Sequence, residues 1–225
     1  MKLFFKHNGI YLTLYFALLA YLASVLLNDG KVQIHQQINT HVGNHYLDVF
    51  FKYITHLGDG IFVVLVGIMM LFFNLKKASY ILLTYISASI LTTILKTFVF
   101  VENWRPLFVY RYFATQYNLN TIEGVDLNVG NSFPSGHATA AFALFMSLVF
   151  MSNKQVYKML FFILAVLATF SRTYLSQHWL VDIYFGSIIG FCFSVFFYVV
   201  FYNKSFSEKY ALPLQIFLAK KKNAV

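Results

Sequence analysis

The chain has few charged residues and a single cysteine. The first shortage excludes a class of protein, and the second excludes a disulfide within the chain. Only 11% of the 225 residues are Asp, Glu, Lys or Arg, whereas about 25% is usual in a soluble domain. Cys192 can form no disulfide within the chain, so cysteine usage does not indicate a redox compartment. Because this thiol lies in an apolar run, we expect it to be buried as a small hydrophobic residue. The low charge excludes an ordinary soluble domain.

The sequence also lacks the patterns of a metal site and of a repeat protein. His35, His41 and His45 fit no tight zinc signature, and we interpret them as solvated loop residues. No carboxylate-rich cage accompanies the other histidines, so we expect neither a metal nor another cofactor. No internal repeat or low-complexity segment divides the chain, which predicts one domain over residues 1–225.

Apolar residues dominate what is present. The sequence is 59% hydrophobic and 20% aromatic, with a mean hydropathy of +0.65. One membrane crossing takes about 20 apolar residues, and the apolar runs predict an all-α polytopic membrane protein with six spans. The expected spans are roughly 10–28, 58–73, 79–101, 136–152, 157–174 and 179–202.

Two polar connections separate these runs. Residues 28–56 predict a loop followed by an interfacial helix, since the pattern L-D-V-F-F-K-Y-I at 47–54 is amphipathic. Residues 102–133 form the longest polar connection and carry many aromatic residues, which accumulate at the level of lipid headgroups. We expect this second connection to rest on the membrane surface.

The net charge of +9 is explained by topology rather than by a nucleic acid partner. Six spans place both termini on one side, and 11 of the 17 Lys and Arg residues fall on that side. The positive-inside rule then places both termini in the cytoplasm. We expect a bacterial inner-membrane protein with no obligate protein partner. The eleven are Lys2, Lys6, Lys76, Lys77, Lys154, Lys158, Lys204, Lys209 and Lys220 to Lys222.

Counting the spans from the cytoplasmic N-terminus assigns each span end to one leaflet of the membrane. The unusual polar residues near the span ends all fall at the outer leaflet, opposite to the termini. An ionised side chain in a membrane is a functional-site hypothesis by default, and the shared leaflet makes coincidence a poor explanation. These residues are Lys96, Arg105, His137, Arg172, His178 and Asp182.

Three cations with two histidines describe an anion site, and their chemistry suits phosphoryl transfer. Lys96, Arg105 and Arg172 can stabilise charge on phosphoryl oxygens. Ser135 and Gly136 lie where the fourth span begins, so free backbone N–H groups and the positive end of the helix dipole can face a phosphate.

The two histidines suit separate steps of such a reaction. His178 and Asp182 are four residues apart and share one helix face, so the carboxylate can hold one ring nitrogen as N–H. The other nitrogen is then free to attack phosphorus. His137 can act as the general acid that protonates the departing lipid oxygen.

Together these residues resemble the three-part signature of the type-2 phosphatidic acid phosphatase family, whose phosphate site is shared with vanadium haloperoxidases. The first motif joins Lys96 to Arg105-Pro106 across eight residues, where the family usually has six. The other two are P-S-G-H at 134–137 and S-R-x5-H-x3-D at 171–182. The resemblance implies metal-free hydrolysis of lipid phosphates through a phosphohistidine intermediate. It implies that His178 is the nucleophile, that Asp182 orients His178 and that His137 is the general acid. The residues implied to hold the phosphate are Lys96, Arg105, Ser135, Gly136 and Arg172.

Two function classes stay open at this point. The first is an outward-facing lipid phosphatase acting on undecaprenyl diphosphate, the substrate type we favour because it is common in the family, or on lipid A, phosphatidylglycerophosphate or phosphatidate. The second is a non-catalytic protein that binds or carries a lipid phosphate. A carrier needs cations but no nucleophile with an orienting carboxylate, so His137, His178 and Asp182 favour the enzyme.

Overall fold

The structure, a computed structural model, describes residues 2–203 and 212–217. Regular structure in the described part of the chain is helical throughout, which confirms the predicted all-α class. The helices in chain order are α1 Lys2–Asn28, α2 Lys31–Asn39, α3 His45–Ile54, α4 Gly60–Leu71, α5 Leu75–Ile94, α6 Pro106–Tyr112, α7 Gly136–Met151, α8 Gln155–Tyr174 and α9 Leu180–Tyr198. Five of the lysines predicted to be cytoplasmic lie outside the described residues, namely Lys204, Lys209 and Lys220 to Lys222.

Several of these helices are apolar and long enough to cross a membrane, which supports an integral membrane protein. Within the described residues, four qualify by length and composition: Phe4–Asn28, Leu75–Val99, Gln155–Tyr174 and Leu180–Tyr202. A fifth is added if the bent pair His45–Gly58 and Gly60–Leu71 counts as one span. The expected span 136–152 corresponds to α7, which is apolar but has only 16 residues. Six crossings therefore stay a prediction.

The core is built around α7, which is buried along nearly its whole length. Ala140, Leu144 and Met146 have almost no exposed surface, and α4, α5, α8 and α9 pack around this helix. A short helix that is apolar all round must lie inside a protein or a membrane. The position of α7 at the centre places its N-terminus among the ends of its neighbours.

Small residues let α9 approach α7 closely. A Cβ added to Gly190 would lie 2.4 Å from the carbonyl oxygen of Thr139 and 2.7 Å from the backbone nitrogen of Ala143. At Gly186 the same addition would reach the carbonyl oxygen of Ser135 at 2.5 Å. The small-x-x-x-small spacing at 186–190 therefore serves helix contact, as such spacings commonly do in membranes.

The second predicted span, 58–73, begins at a bend in the chain. A 3₁₀ turn over Thr55–Gly58 follows α3, and α4 starts at Gly60 at an angle of 54° to the preceding helix. Asp59 occupies the N-cap position of α4, yet its side chain makes no capping hydrogen bond. Asp is among the preferred N-cap residues, so the Asp59 carboxylate is available for contacts outside α4.

The two polar connections contain more helix than expected. The segment predicted as a loop before the interfacial helix folds into α2, and the 102–133 connection includes α6. The prediction that His35 is a solvated loop residue is wrong: it is 1% exposed, and its Nδ1 atom lies 3.0 Å from the Tyr110 hydroxyl. This contact packs α2 against α6, and burial lowers the pKa of His35 to about 4.

The expectation for Cys192 is also wrong. The residue is exposed on α9, because it lies on the face of that helix turned away from α7. An apolar environment for this side chain would come from lipid rather than from protein, and residue type alone cannot distinguish the two.

The Gly190→Ala substitution is expected to lower the stability of the fold. The added methyl group must push α9 away from the α7 backbone, and overpacking of this kind costs about 1–3 kcal/mol. Thermal unfolding in detergent measures the effect. Gly9→Ala in α1 is the matched control, because a Cβ there meets nothing within 4 Å. Equal melting temperatures for the two variants would contradict the close contact.

Candidate functional site

The P-S-G-H segment forms the start of α7. Ser135 is its N-cap residue, and its hydroxyl accepts a hydrogen bond from the backbone N–H of Ala138 at 3.4 Å. The first backbone N–H groups of a helix have no partner within the helix, so those of Gly136 and His137 lie at an end suited to an anion. Gly136 also leaves space beside the backbone, since a Cβ there would meet nothing within 4 Å.

His178 and Asp182 lie together at the start of α9, as their spacing predicts. The Nδ1 atom of His178 is 3.3 Å from Oδ2 of Asp182, and each residue is only 1% exposed. With Nδ1 facing the carboxylate, the opposite ring nitrogen, Nε2, is the one left for a ligand. The arrangement matches a nucleophile with an orienting group.

The Asp182 carboxylate receives two further hydrogen bonds from its surroundings. The backbone N–H of Trp179 donates to Oδ2 at 2.9 Å, and the Ser132 hydroxyl donates to the same atom. The backbone carbonyl of Asp182 accepts from the N–H of Ser135 at 3.0 Å. A buried carboxylate requires such partners, and these bonds join α9 to the segment before α7.

Arg105 and Lys96 are held by backbone carbonyl groups of the surrounding loops. Arg105 donates from Nε to Gly130 at 2.9 Å and from Nη1 to Gln177 at 3.1 Å, which leaves other guanidinium donors for a ligand. Lys96 donates from Nζ to Asn131 at 3.1 Å.

The longer spacing of the first motif has a local structural counterpart. The end of α5 changes to a π-helix over Leu95–Val99, and a π-helix takes up more residues per turn than an α-helix. This change includes Lys96 itself. Its charge still acts on Asp182, Arg105 and Arg172, so the insert does not remove Lys96 from the cluster.

Arg172 is the most deeply buried cation of the cluster. Only 6% of its surface is exposed, and its Nη1 atom donates to the Thr55 hydroxyl at 2.9 Å. Its Nε donor is buried and has no hydrogen-bond partner among the described residues. A buried donor without a partner costs about 1–3 kcal/mol, so such a group calls for a ligand.

The electrostatic environment keeps His178 neutral. Burial is the main cause that lowers the pKa of His178 well below its ordinary value, and the charges of Arg105, Lys96 and Arg172 lower that pKa further. All three predicted phosphate-binding cations therefore surround the predicted nucleophile. A neutral ring has the lone pair that attack on phosphorus requires.

His137 has a partner that the sequence analysis missed. Its Nε2 atom lies 2.6 Å from Oδ1 of Asp59, whose other oxygen is 2.9 Å from Nδ1 of His56. Asp59 precedes α4 at the bend of the second predicted span. A signal for it exists in the sequence: counting the spans places Asp59, at the start of the second span, on the same outer leaflet as His137.

Two cavities meet at His137. The first, about 320 Å³, lies under the polar connections and is lined by charged groups that include Lys52, Asp59 and Arg172. The second, about 310 Å³, lies between α4, α5 and α7 and reaches Lys96 and Gly136. Of the predicted phosphate-binding residues, Arg172 lines the first space and Lys96 and Gly136 line the second.

The described residues contain no group of three or more His, Cys, Asp or Glu side chains placed to hold a metal ion. The charged groups at this site are mainly cations, which bind anions directly.

Comparison with known proteins agrees with this geometry. The model of the PAP2 superfamily matches residues 77–206, more than half of the chain, and this range includes all three motifs. No curated protein sequence gives a significant match. The crystal structure of LpxE from Aquifex aeolicus is similar, with 26% identity, a TM-score of 0.60 and coverage of 73% of this chain and 92% of that one.

A second solved structure shows the same fold at lower identity. It is the transmembrane PAP2 type phosphatidylglycerolphosphate phosphatase from Bacillus subtilis, with 21% identity and a TM-score of 0.62. The similarity covers 89% of this chain and 98% of that one.

The low pKa of His178 is expected to keep its ring neutral in mildly acidic buffer. A group with a lowered pKa gains its proton only below the ordinary value of about 6.5 for histidine. The ring ¹⁵N shifts of His178, assigned with the His178→Gln variant, should stay those of a neutral imidazole from pH 7.5 to 5.5. An imidazolium pattern appearing near pH 6.5 would contradict the burial argument.

Proposed function

The chain belongs to the PAP2 superfamily, and on that premise we propose that it hydrolyses the phosphate ester or diphosphate of a membrane lipid through a phosphohistidine intermediate, without a metal. The membership and the solved relatives support a lipid phosphate phosphatase. The finer assignments of residue roles, orientation and mechanism belong to this proposal.

The observation that carries the proposal is the imbalance of charge around His178. Lys96, Arg105 and Arg172 surround this ring, while Asp182 is the carboxylate hydrogen-bonded to it. Buried cations require anionic partners, and the unpartnered Nε donor of Arg172 adds a hydrogen-bonding site. A phosphoryl group supplies both the negative charge and the acceptor oxygens.

In the first step, Nε2 of His178 attacks phosphorus. A P–N bond forms as the bond between phosphorus and the lipid oxygen breaks. His137 enters this step as an imidazolium paired with the Asp59 carboxylate, gives one proton to the lipid oxygen and becomes neutral. Asp182 stabilises the positive charge that develops on the His178 ring. The three cations and the N–H groups at the start of α7 stabilise the charge on the phosphoryl oxygens.

In the second step, water replaces the histidine. His137 accepts a proton from the water as its oxygen bonds to phosphorus, and the P–N bond breaks to release inorganic phosphate and restore neutral His178. Asp59, 2.6 Å from His137, orients the acid-base ring in the same way that Asp182 orients the nucleophile. The site then contains two carboxylate–histidine pairs with separate roles.

We place this site at the outer face of the membrane, with six crossings and both termini in the cytoplasm. The positive residues on the terminus side support that orientation. Undecaprenyl diphosphate, phosphatidylglycerophosphate, phosphatidate and lipid A are the substrates to test. A non-catalytic carrier is the alternative, and the buried His178–Asp182 pair argues against it because binding alone needs no oriented nucleophile.

Substitution of the nucleophile tests the reaction itself. Purified protein in detergent with a chelator should release phosphate from at least one lipid of this panel, and His178→Gln should lower the rate by at least about 1000-fold, as is typical when a catalytic nucleophile is removed. His41→Gln is the control histidine variant, and colorimetric phosphate release is the measurement. Full activity of His178→Gln, or activity only with added Mg²⁺, would contradict the mechanism.

Asp59→Asn tests the second carboxylate–histidine pair. We expect kcat to fall by about 10- to 100-fold, the usual effect of losing a group that orients a functional histidine, with little change in KM because Asp59 does not hold the phosphate. The rates are measured by steady-state phosphate release. His56→Gln keeps the 2.6 Å contact between Asp59 and His137 and should retain most activity. A larger loss in His56→Gln would refute the assignment.

A further inference from the structure

The cavity between α4, α5 and α7 has a chemical character that the hydrolysis mechanism alone does not explain. Four hydroxyl-bearing side chains line it, namely Tyr85, Ser89, Thr92 and Thr93. Lys96 and His137 lie at the end that meets the phosphate-binding residues. The cavity is therefore continuous with the proposed catalytic site.

These hydroxyl groups follow one face of α5. Positions 85, 89, 92 and 96 are four, three and four residues apart, which aligns side chains along a helix, and Thr93 follows Ser89 by four residues. From Tyr85 to Lys96 the row extends about 16 Å along the axis, at about 1.5 Å per residue. The helix is one of the four candidate membrane spans. Polar side chains in a span usually face a functional cavity or the protein interior.

Helix packing accounts for only part of this row. The Thr92 hydroxyl lies 3.1 Å from that of Thr139 and joins α5 to α7. Within the described residues neither Ser89 nor Thr93 has a side-chain hydrogen bond. Ser89 is half-buried and Thr93 is exposed, and both line the cavity. A hydrocarbon chain in the cavity would leave such hydroxyl groups without partners, which is costly away from water.

The position of His137 determines which part of the substrate reaches this cavity. In the proposed mechanism His137 protonates the lipid oxygen, so that oxygen, the first atom of the leaving group, must lie next to the His137 ring. The cavity under the polar connections contains Arg172 and Asp59 and lies on the side of the loops. The hydroxyl-lined cavity runs along α5, a candidate membrane span. The leaving group can therefore occupy this cavity while the lipid tail attached to it stays in the membrane.

We propose that the hydroxyl-lined cavity binds a leaving group with free hydroxyl groups, such as a glycerol or a sugar. The inference rests on the proposed function and specifies its substrate class. The preferred lipid then carries its phosphate on a hydroxylated headgroup. Phosphatidate, whose leaving group has no free hydroxyl, and undecaprenyl diphosphate are cleaved less efficiently.

Paired lipids and paired variants test this assignment. We compare kcat/KM for phosphatidylglycerophosphate and phosphatidate with the same acyl chains, together with a lipid A phosphate and undecaprenyl diphosphate. The variants are Thr93→Val, which keeps the side-chain shape without the hydroxyl, and Thr93→Ser, which keeps the hydroxyl. Ser89→Ala is compared with Ser87→Ala, a hydroxyl on α5 that does not line the cavity.

The wild-type protein should favour phosphatidylglycerophosphate or the lipid A phosphate. A preference for the first indicates that the cavity binds a glycerol, and a preference for the second indicates that it binds a sugar. Thr93→Val and Ser89→Ala should each lower kcat/KM for the favoured lipid by about three- to tenfold, the value of one lost hydrogen bond. Phosphatidate hydrolysis should not change, and Thr93→Ser and Ser87→Ala should behave as wild type.

Equal losses on all lipids, or a wild-type preference for phosphatidate or undecaprenyl diphosphate, would overturn the inference and leave the phosphatase assignment in place. Failure of the wild-type protein to release phosphate from any of the four lipids would overturn both the inference and the proposed function.

Discussion

The close contact between α7 and α9 is the constraint on which the rest of the site depends. Gly186 and Gly190 bring the two backbones together, and the N–H of Ser135 donates to the carbonyl of Asp182 as a result. That bond fixes the start of α7 beside His178 and Asp182 at the start of α9. Because neither glycine belongs to the three motifs, the chemistry depends on residues whose only role is to leave space.

Electrostatics then determine what the assembled site can bind. Three cations are concentrated around a buried, neutral His178, and the pKa of that ring is lowered by burial and by those same cations. In the proposed reaction a phosphoryl group balances the positive charge, and the neutral His178 ring has the lone pair needed for attack. The Asp182 carboxylate is held by the Ser132 hydroxyl and the Trp179 backbone N–H, and it faces Nδ1 of His178.

The bend before α4 lies beside the two cavities that meet at His137. It places Asp59 against His137 and separates a charged cavity under the loops from a hydroxyl-lined cavity along α5. In the proposed reaction one product, inorganic phosphate, is soluble in water and the other is a lipid. The charged cavity under the loops and the cavity along α5 suit these two products of the proposed reaction, and His137 lines both cavities.

The sequence by itself determined the helical class, the membrane location and the motif residues, because apolar runs and the spacing of Lys96, Arg105, His137, His178 and Asp182 are local properties. It could not determine contacts between distant segments. The pairing of Asp59 with His137, the burial of His35 by α6 and the exposure of Cys192 depend on how helices pack, and the hydroxyl row on α5 acquires meaning only from the cavity it faces. Tertiary structure decided these features because burial and cavity shape arise from which helix faces meet, and a one-dimensional pattern does not specify that.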